Sequence, residues 1–305
     1  MDPKISIILP SYNYAHLMVE ALASIDRQTE TSWELLAVED GSTDGSLEVL
    51  NRFAEGREGR VKVLTHPGRQ NQGLTKSVAL ALERCRGDFV AFLDADDVLY
   101  PESFSRRLEK MEKNPDLVLS HHGVVLDGPF WQVRERVREL SKIRFPQPGI
   151  YEALPFLLRS NVALTLSGVL VRRSALKTVR LDSPVDPWLD WWILTQLSLA
   201  GPFYLIAEKL MRWRIHDRSY NFLYCSRDDA YERMLDFMKQ QRARVSRIMA
   251  EEKIPALTPG RRIRSKRALW AAQREAAAPR MHFMGLVRKV VPAHTRRAIK
   301  RILVP

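Results

Sequence analysis

The sequence predicts an α/β protein whose largely parallel β-sheet is covered by helices on both faces. Short apolar runs of strand length alternate with segments of helical period through the first 130 residues, and the strand–helix–strand unit recurs four times. Such units place successive strands parallel to one another. In addition, polar clusters follow three of the strands, at the ends where ligands bind to sheets of this kind.

Strands and helices alternate in order through this first part of the chain. The predicted strands cover residues 4–9, 33–38, 61–66, 88–93 and 117–126. The predicted helices cover residues 14–28, 46–54, 74–85 and 101–113. Apolar residues at helical spacing give the first helix one buried face, made of Leu17, Met18, Leu22 and Ile25. Pro101 suits the first turn of the fourth helix.

The pattern is mixed between residues 130 and 220, where strands are predicted over 166–171 and 202–208 and a helix over 187–200. From Asp228 onward the chain is predicted to be helical and increasingly basic. The net charge of +12 lies entirely in residues 261–305, which hold 13 Lys and Arg against one acid. A short basic amphipathic helix after Pro292 suits an anionic membrane surface. The alternative is a helix packed on the body with its charged face in water.

Composition bounds the class of protein. The chain has 305 residues, 45% of them hydrophobic, which allows about one to two globular domains. Two cysteines are too few for a disulfide framework or a structural zinc site and fit a reducing, cytoplasmic setting. We expect no signal peptide and no membrane-spanning helix. Neither a dinucleotide-binding glycine motif nor a P-loop occurs, which disfavours both folds.

Three carboxylates crowd the end of the strand over 88–93: Asp94, Asp96 and Asp97. Like charges this close are costly unless something positive joins them. A divalent cation with oxygen ligands would do so; the alternative is a solvated acidic turn that starts the next helix. Asp40 follows the second strand and can accept from a base imide or a sugar hydroxyl. The alternative there is that Asp44 or Ser46 caps the following helix.

Four motifs in this order are similar to those of one family. ILPSYN (8–13), VEDGSTDGS (38–46), NQGLTKSVALAL (71–82) and RGDFVAFLDADD (86–97) resemble the first half of family 2 glycosyltransferases. The resemblance implies a GT-A fold, with a Rossmann-like sheet, and an inverting transfer from a UDP-, GDP- or dTDP-sugar. Glu39 stands where the family usually has a second Asp.

The resemblance also implies roles for individual residues. Asp40 would contact the base, Asp94 would lie near the ribose and the metal, and Asp96 would bind the Mn²⁺ or Mg²⁺ that bridges the diphosphate. His216, in RWRIHDRS (212–219), would complete the metal site or contact a phosphate, while Arg214 would neutralise charge. The predicted substrate-binding residues are Pro10, Ser11, Tyr12, Asn13, Asp40, Asn71, Gly73, Lys76, Asp94, Ala95 and Arg214.

A base for the acceptor hydroxyl is expected in the second half. The segment VDPWLDWWILTQLSLAG (185–201) resembles the family's acidic helix start, which places the catalytic carboxylate at Asp190. The residue before it is usually Glu and is Leu189 here, so Asp186 is the fallback. The alternative for Asp190 is an acid that only stabilises the helix start. His121 and His122 lack an obvious third ligand and are interpreted as core or turn residues.

These expectations define a domain plan and a function. Residues 1–220 would form the GT-A domain, with a nucleotide-sugar-binding half (1–127) and an acceptor-binding half (128–220). Residues 221–305 would form a helical extension that attaches to the inner face of the plasma membrane. The acceptor would be a saccharide or lipid-linked, in bacterial cell-surface polysaccharide or glycolipid synthesis.

Two other functions are compatible with parts of the sequence. A nucleotidyltransferase could use the same sheet edge, but such enzymes open with a glycine-rich, arginine-containing loop where this chain has ProSerTyrAsnTyr (10–14). A non-catalytic protein that binds an anionic polymer could use the basic tail. Because no aromatic RNA-binding signature occurs, no nucleic-acid partner is expected.

Overall fold

The computed structural model describes residues 2–181, 186–219 and 230–251. Nine strands lie in one sheet: β1 Ile5–Ser11, β2 Trp33–Glu39, β3 Val61–Thr65, β4 Phe89–Phe92, β5 Val98–Leu99, β6 Leu119–Asp127, β7 Gly149–Tyr151, β8 Val169–Arg172 and β9 Phe203–Arg214. The helices are α1 Ala15–Asp26, α2 Ser46–Ala54, α3 Leu74–Leu82, α4 Ser103–Lys113, α5 Phe130–Leu140, α6 Leu154–Leu157, α7 Arg173–Leu176, α8 Leu189–Ala200 and α9 Ala230–Glu251.

The strand order is β3-β2-β1-β4-β8-β6-β9-β5, and β7 pairs with β9. The first four strands are parallel, with Ile5 in register with both Trp33 of β2 and Phe89 of β4. β2 and β4 are buried along their whole length, because helices cover both faces of the sheet. The predicted α/β class with a parallel sheet between helices is confirmed for this part of the chain.

The second half of the sheet is mixed rather than parallel. β8 runs antiparallel between β4 and β6, so the strand predicted over 117–126 does not lie beside the strand that precedes it in the chain. The strand predicted over 166–171 begins only at Val169, because Leu166–Gly168 forms a 3₁₀ turn. β9 extends beyond residue 208 to Arg214, since its second half pairs with β5 and β6.

Two apolar cores lie on the two faces of the sheet. Alternation along β1 directs Ile7 and Leu9 into one core and Ile8 into the other. α8 is buried almost all round, as expected of a helix that is apolar on every side. Its Trp191 and Trp192 are therefore core residues.

α9 packs on this second core. Its Phe237 is buried and lies within 5.1 Å of the Trp188 ring, centroid to centroid. Of the predicted helical extension (221–305), the structure describes only residues 230–251, which form α9. The basic amphipathic segment after Pro292 lies outside the described residues. Within the described ranges, no helix combines the length and the apolarity that crossing a bilayer requires.

The two adjacent histidines of β6 lie in the core, as the sequence interpretation expects. His121 Nε2 lies 2.7 Å from the Tyr151 hydroxyl, and His122 Nε2 lies 3.2 Å from Ser103 Oγ. Burial lowers the pKa of His121 to about 3 and that of His122 well below its usual value. Both rings are therefore neutral at physiological pH.

Candidate active site

A cavity of about 940 Å³ opens at the carboxyl ends of β1, β2 and β4. Twelve of the fourteen predicted site residues line it: Pro10, Ser11, Tyr12, Asn13, Asp40, Asn71, Gly73, Asp94, Ala95, Asp96, Asp190 and Arg214. His216 is not part of the lining but contacts Asp96. Lys76 also lies outside the lining, and its exposed ammonium donates to Gln72 Oε1 at 2.8 Å.

The loop after β1 is held by the loop after β2. Asn13 adopts a φ of 60°, a conformation that Asn tolerates better than most residues. Its backbone N–H donates to Ser42 Oγ at 3.0 Å, and its Oδ1 accepts from the Thr43 N–H at 2.9 Å. Asp44 accepts from the N–H groups of both Ala15 and Ser46, at 3.0 and 3.1 Å. Asp44 thus accepts from the first residue of both α1 and α2, although the N-cap positions of these helices are Tyr14 and Gly45.

Asp40 is fixed by the loop that precedes α3. Its carboxylate accepts from the backbone N–H groups of Gln72 and Gly73, at 2.7 and 2.9 Å, and His66 Nε2 lies 3.6 Å from its Oδ1. Burial raises its pKa in spite of these two hydrogen bonds. Each carboxylate oxygen has a second lone pair, so Asp40 can still accept a hydrogen bond from a ligand in the cavity.

Two of the carboxylates after β4, those of Asp94 and Asp97, lie in different environments. Thr165 Oγ1 donates to Asp94 Oδ2 at 3.0 Å, and burial, with the Asp96 charge, raises the pKa of Asp94 to about 6. Asp97 is buried, and its Oδ1 accepts from the Arg214 N–H at 3.2 Å. Its Oδ2 accepts no hydrogen bond from the described residues. Burial and the neighbouring charges raise the pKa of Asp97 well above its usual value.

Two basic side chains near these acids lie at the end of β9 and in the turn after it. His216 Nε2 lies 3.0 Å from Asp96 Oδ2, and the His216 ring packs edge-on to Tyr14. The Arg214 guanidinium donates instead to Glu20 of α1. It therefore does not neutralise Asp97, to which it offers only its backbone N–H.

The three carboxylates after β4 form a negatively charged cluster that a divalent cation would fit. The described residues contain no group of three or more His, Cys, Asp or Glu side chains arranged to hold a metal. Mg²⁺ and Mn²⁺ bound to nucleotides nevertheless take only one or two carboxylates and fill the remaining positions with phosphate and water. Burial raises the pKa values of Asp94 and Asp97, and the repulsion among the three carboxylates raises them further. A bound cation would offset that repulsion, and the buried Asp97 Oδ2, which accepts no hydrogen bond from the described residues, adds an oxygen to the cluster.

Asp190 opens α8 and faces the same cavity. Its Oδ1 accepts from the Trp191 N–H and its Oδ2 from Asn161 Nδ2, both at 2.6 Å. Burial, with the charge of Asp94, raises its pKa to about 7. Asn161 and Thr165, which contact the two key carboxylates, were not predicted, since they lie in an irregular segment without a motif.

Asp186, the fallback for the base, holds the start of α3. Its carboxylate accepts from the N–H groups of Leu74 and Thr75, at 3.2 and 2.8 Å, and from the Thr75 hydroxyl. These are the first, otherwise unpaired donors of a helix. A Cβ on Gly73 would lie 2.4 Å from Asp186 Oδ2. The Asp186 carboxylate therefore accepts three hydrogen bonds, two of them on Oδ1, whereas Asp190 accepts one on each oxygen and keeps more lone pairs for a ligand.

Two curated relatives support the sequence motifs. An uncharacterized glycosyltransferase of Nostoc sp. is 30% identical over 70% of this chain, and the match covers 65% of that protein, so this chain spans slightly less than two thirds of it. A UDP-Glc:alpha-D-GlcNAc-diphosphoundecaprenol beta-1,3-glucosyltransferase of Escherichia coli is 34% identical over 37% of this chain and 43% of its own length.

Two solved structures share the fold. TarS 1–349 of S. aureus in complex with UDP-GlcNAc matches with a TM-score of 0.58 and 20% identity, over 78% of this chain and 66% of its own. A mannosyltransferase of Pyrobaculum calidifontis in complex with GDP-Man and Mn²⁺ matches with a TM-score of 0.51 and 19% identity, over 72% and 59%. The family model described as Glycosyl transferase family 2 matches residues 6–180. Because that match spans more than half of the chain, the protein belongs to glycosyltransferase family 2, as its motifs predict, with a GT-A-like α/β fold.

Proposed function

We propose that the protein is an inverting glycosyltransferase that moves a sugar from a nucleoside diphosphate to a saccharide or lipid-linked acceptor. One observation carries this proposal: a carboxylate with a pKa near 7, Asp190, lines the same cavity as Asp40 and the acids after β4. A transfer of this kind needs one group that holds the nucleotide end, one that receives the leaving charge, and one that takes a proton from the acceptor.

The nucleotide would bind where the loops after β1 and β2 meet. Asp40 can accept from the base or the ribose, and its position is set by two backbone hydrogen bonds. Pro10 to Asn13 line the adjacent wall, and their backbone is fixed by the hydrogen bonds to Ser42 and Thr43. The TarS complex holds UDP-GlcNAc and the Pyrobaculum complex GDP-Man; we extend nucleotide-sugar binding to this chain and leave UDP, GDP and dTDP as the candidates to test.

Asp96, Asp94 and His216 would hold Mn²⁺ or Mg²⁺, the former being the ion of the Pyrobaculum complex. When bound, the cation would supply positive charge that stabilises the departing nucleoside diphosphate. Neighbouring side chains orient the two carboxylates that would bind the cation. Thr165 orients Asp94 through its hydroxyl, and the contact with His216 orients Asp96. Arg214 lines the cavity as part of an ion pair with Glu20.

Asp190 would act as the base. Its ionised carboxylate takes the proton of the acceptor hydroxyl while the hydroxyl oxygen bonds to the anomeric carbon, on the face opposite the diphosphate. The bond from that carbon to the diphosphate oxygen breaks with both electrons going to the oxygen, so the configuration inverts. A pKa of about 7 suits the task, because about half of the groups are then ionised near neutral pH and the carboxylate is still basic enough to accept a proton. Asn161 holds one of its oxygens in place.

One relative supports the proposed class of acceptor. The E. coli relative acts on a diphosphoundecaprenol-linked sugar, which supports a lipid-linked acceptor and a place in bacterial cell-surface polysaccharide synthesis. Such an acceptor lies in a membrane, and we therefore propose a cytoplasmic enzyme that attaches peripherally to the inner face of the plasma membrane. The basic segment 281–305 is one candidate for that attachment, and it lies outside the described residues.

Donor and cation can be tested together. We expect one of UDP, GDP and dTDP to raise the melting temperature, and to do so more strongly with Mn²⁺, because a ligand that binds only the folded state stabilises it. Incubation with a panel of nucleotide sugars should then release the corresponding nucleotide. Stabilisation by none of the three, with or without Mn²⁺, would contradict the donor assignment.

The base is tested by Asp190→Asn, which should abolish turnover and leave donor binding nearly unchanged. Asp88→Asn is the matched control, since Asp88 is exposed and precedes β4, at the end of that strand opposite the cavity. The loss in the first variant and not in the second would support the role of Asp190. Wild-type turnover by Asp190→Asn would place the base elsewhere.

A further inference from the structure

The outer face of α5 carries large apolar side chains that no described residue covers. Phe130 is 77% exposed, Trp131 61% and Val137 53%. Isolated exposed apolar residues are ordinary, but these three lie on one side of a single helix, together with Arg134 and Arg138, which are also exposed. An aromatic and basic face of this kind is typical of helices that lie in a membrane interface.

The opposite side of the same helix reaches the cavity. Arg136 lines it, and its guanidinium carbon lies 5.2 Å from the centroid of the Trp213 ring. Gln132 is buried beside it. One helix therefore joins the rim of the candidate active site to an exposed apolar surface, so whatever binds that surface also lies close to the cavity.

The charge of α5 and the residues after it indicates what kind of partner this surface would bind. Residues 130–144 contain five Lys or Arg and two acids. Both acids form ion pairs within the helix, Glu139 with Arg136 at 2.8 Å and Glu135 with Arg138 at 3.9 Å. The surface is thus net positive and attracts an anionic partner.

Two other occupants fit the charge less well. Residues 261–305 of this chain hold 13 Lys and Arg against one acid, so electrostatic repulsion opposes their packing on a basic face. A second copy of the chain related by a two-fold axis would set Arg134 and its neighbours against the same cations of its partner. An anionic bilayer offers negative headgroups for the arginines and an apolar interior for the aromatic side chains.

We propose that the exposed face of α5 (Phe130, Trp131, Arg134, Val137 and Arg138) docks on an anionic phospholipid membrane. The aromatic side chains enter the interface, the arginines meet the headgroups, and the cavity then opens toward the bilayer. This inference concerns membrane binding and is tested without donor or acceptor, so it can fail while the transfer reaction stands, and the reverse.

The first test is oxidative footprinting of the full-length protein, read at Trp131 by mass spectrometry. Vesicles of phosphatidylglycerol and phosphatidylcholine should slow oxidation of Trp131, and vesicles of phosphatidylcholine alone should not. Val19, exposed to 58% on α1, is the internal reference and should keep its rate. Protein that sediments with anionic vesicles while Trp131 oxidises as in solution would overturn the proposal, because the attachment would then lie elsewhere.

The second test compares variants by vesicle sedimentation. Phe130→Ala with Trp131→Ala should weaken binding on the order of tenfold or more. Arg134→Gln with Arg138→Gln removes two charges and should weaken it about thirtyfold at low salt. Val19→Ala and Arg52→Gln remove exposed groups of the same kinds elsewhere and should bind as wild type.

Three results would count against the proposal: binding by both α5 variants at wild-type strength, no sedimentation of the wild type, or protection of Trp131 that grows with protein concentration in the absence of vesicles. The last result would assign the face to a second copy of the chain.

Discussion

Removal of the Asn161 side chain should shift the pH dependence of the enzyme. Asn161 Nδ2 donates to Asp190 Oδ2 at 2.6 Å. This hydrogen bond favours the ionised carboxylate, so it opposes the burial that raises the pKa of Asp190 to about 7. In Asn161→Ala the donor is lost, the ionised form is less favourable, and the pKa must rise further. With Asp190 in its proposed role as the base, transfer then requires a higher pH.

The size of the shift follows from the energy of the bond. A hydrogen bond to a charged group contributes about 1.5–3 kcal/mol, and one pKa unit corresponds to about 1.4 kcal/mol. We therefore expect the pKa of Asp190 to move from about 7 to about 8 or above. At pH 7 the ionised fraction would fall from about one half to about one tenth, a fivefold loss in rate, while at pH 9.5 the loss should be less than about twofold.

The assay is kcat/KM, followed by nucleotide release, across a pH range of about 5.5 to 9.5. Asp94 titrates on the same acid limb, with a pKa of about 6, and for this reason the variant is compared with the wild type at every pH. Asn161 Oδ1 also accepts from the Ala163 N–H at 3.2 Å, and loss of that bond lowers the rate equally at all pH values. A deficit that does not shrink as the pH rises would refute the coupling between Asn161 and Asp190.

Three further changes test the packing around the site by denaturation without divalent cations. Gly73→Ala should cost about 1–3 kcal/mol beyond Gly56→Ala, because both glycines have positive φ but only Gly73 would bring a Cβ against Asp186. Asp97→Asn should raise the melting temperature at pH 8. The pKa of Asp97 is raised in the folded state, so its ionised form costs stability above that pKa, and the gain should vanish as the pH falls. Arg107→Met should lose about 2–4 kcal/mol in urea titrations, since the fully buried guanidinium donates to three backbone carbonyls and a hydroxyl.

The first half of the fold could be predicted because its strands are buried on both faces. A strand such as β2 is apolar throughout, and polar loops that end such strands mark the ligand edge of the sheet. Strand order carries no comparable signal. β8 is only four residues long and follows a 3₁₀ turn, so its position between β4 and β6 depends on tertiary packing that periodicity does not encode.

The site was predictable to the same extent and for the same reason. Three of the four motifs include a strand end, the motif over residues 71–82 begins in the loop before α3, and the structure brings residues of all four to one cavity. The sequence did not predict the contacts that Asn161, Thr165 and Ser167 make with the acids. These residues lie in an irregular segment before β8, and the place of β8 in the sheet was not predicted. The burial of Arg107 was equally hidden, since arginine is mostly exposed and here it binds the carbonyls of Ser167 and Val169.

The insertion of β8 also bears on how the two predicted halves cooperate. β8 pairs directly with β4, so one continuous sheet runs through residues 1–127 and 128–220. Thr165 and Ser167 precede this strand and hydrogen-bond to the Asp94 carboxylate and backbone N–H, at 3.0 and 2.9 Å, while Asp186 accepts from the start of α3. The acids after β4 are thus positioned by Thr165 and Ser167, and helix α3 by Asp186, in the segment that leads to Asp190. On the proposed function, a change in residues 128–220 should therefore alter donor binding as well as acceptor choice, because these hydrogen bonds join the two predicted halves.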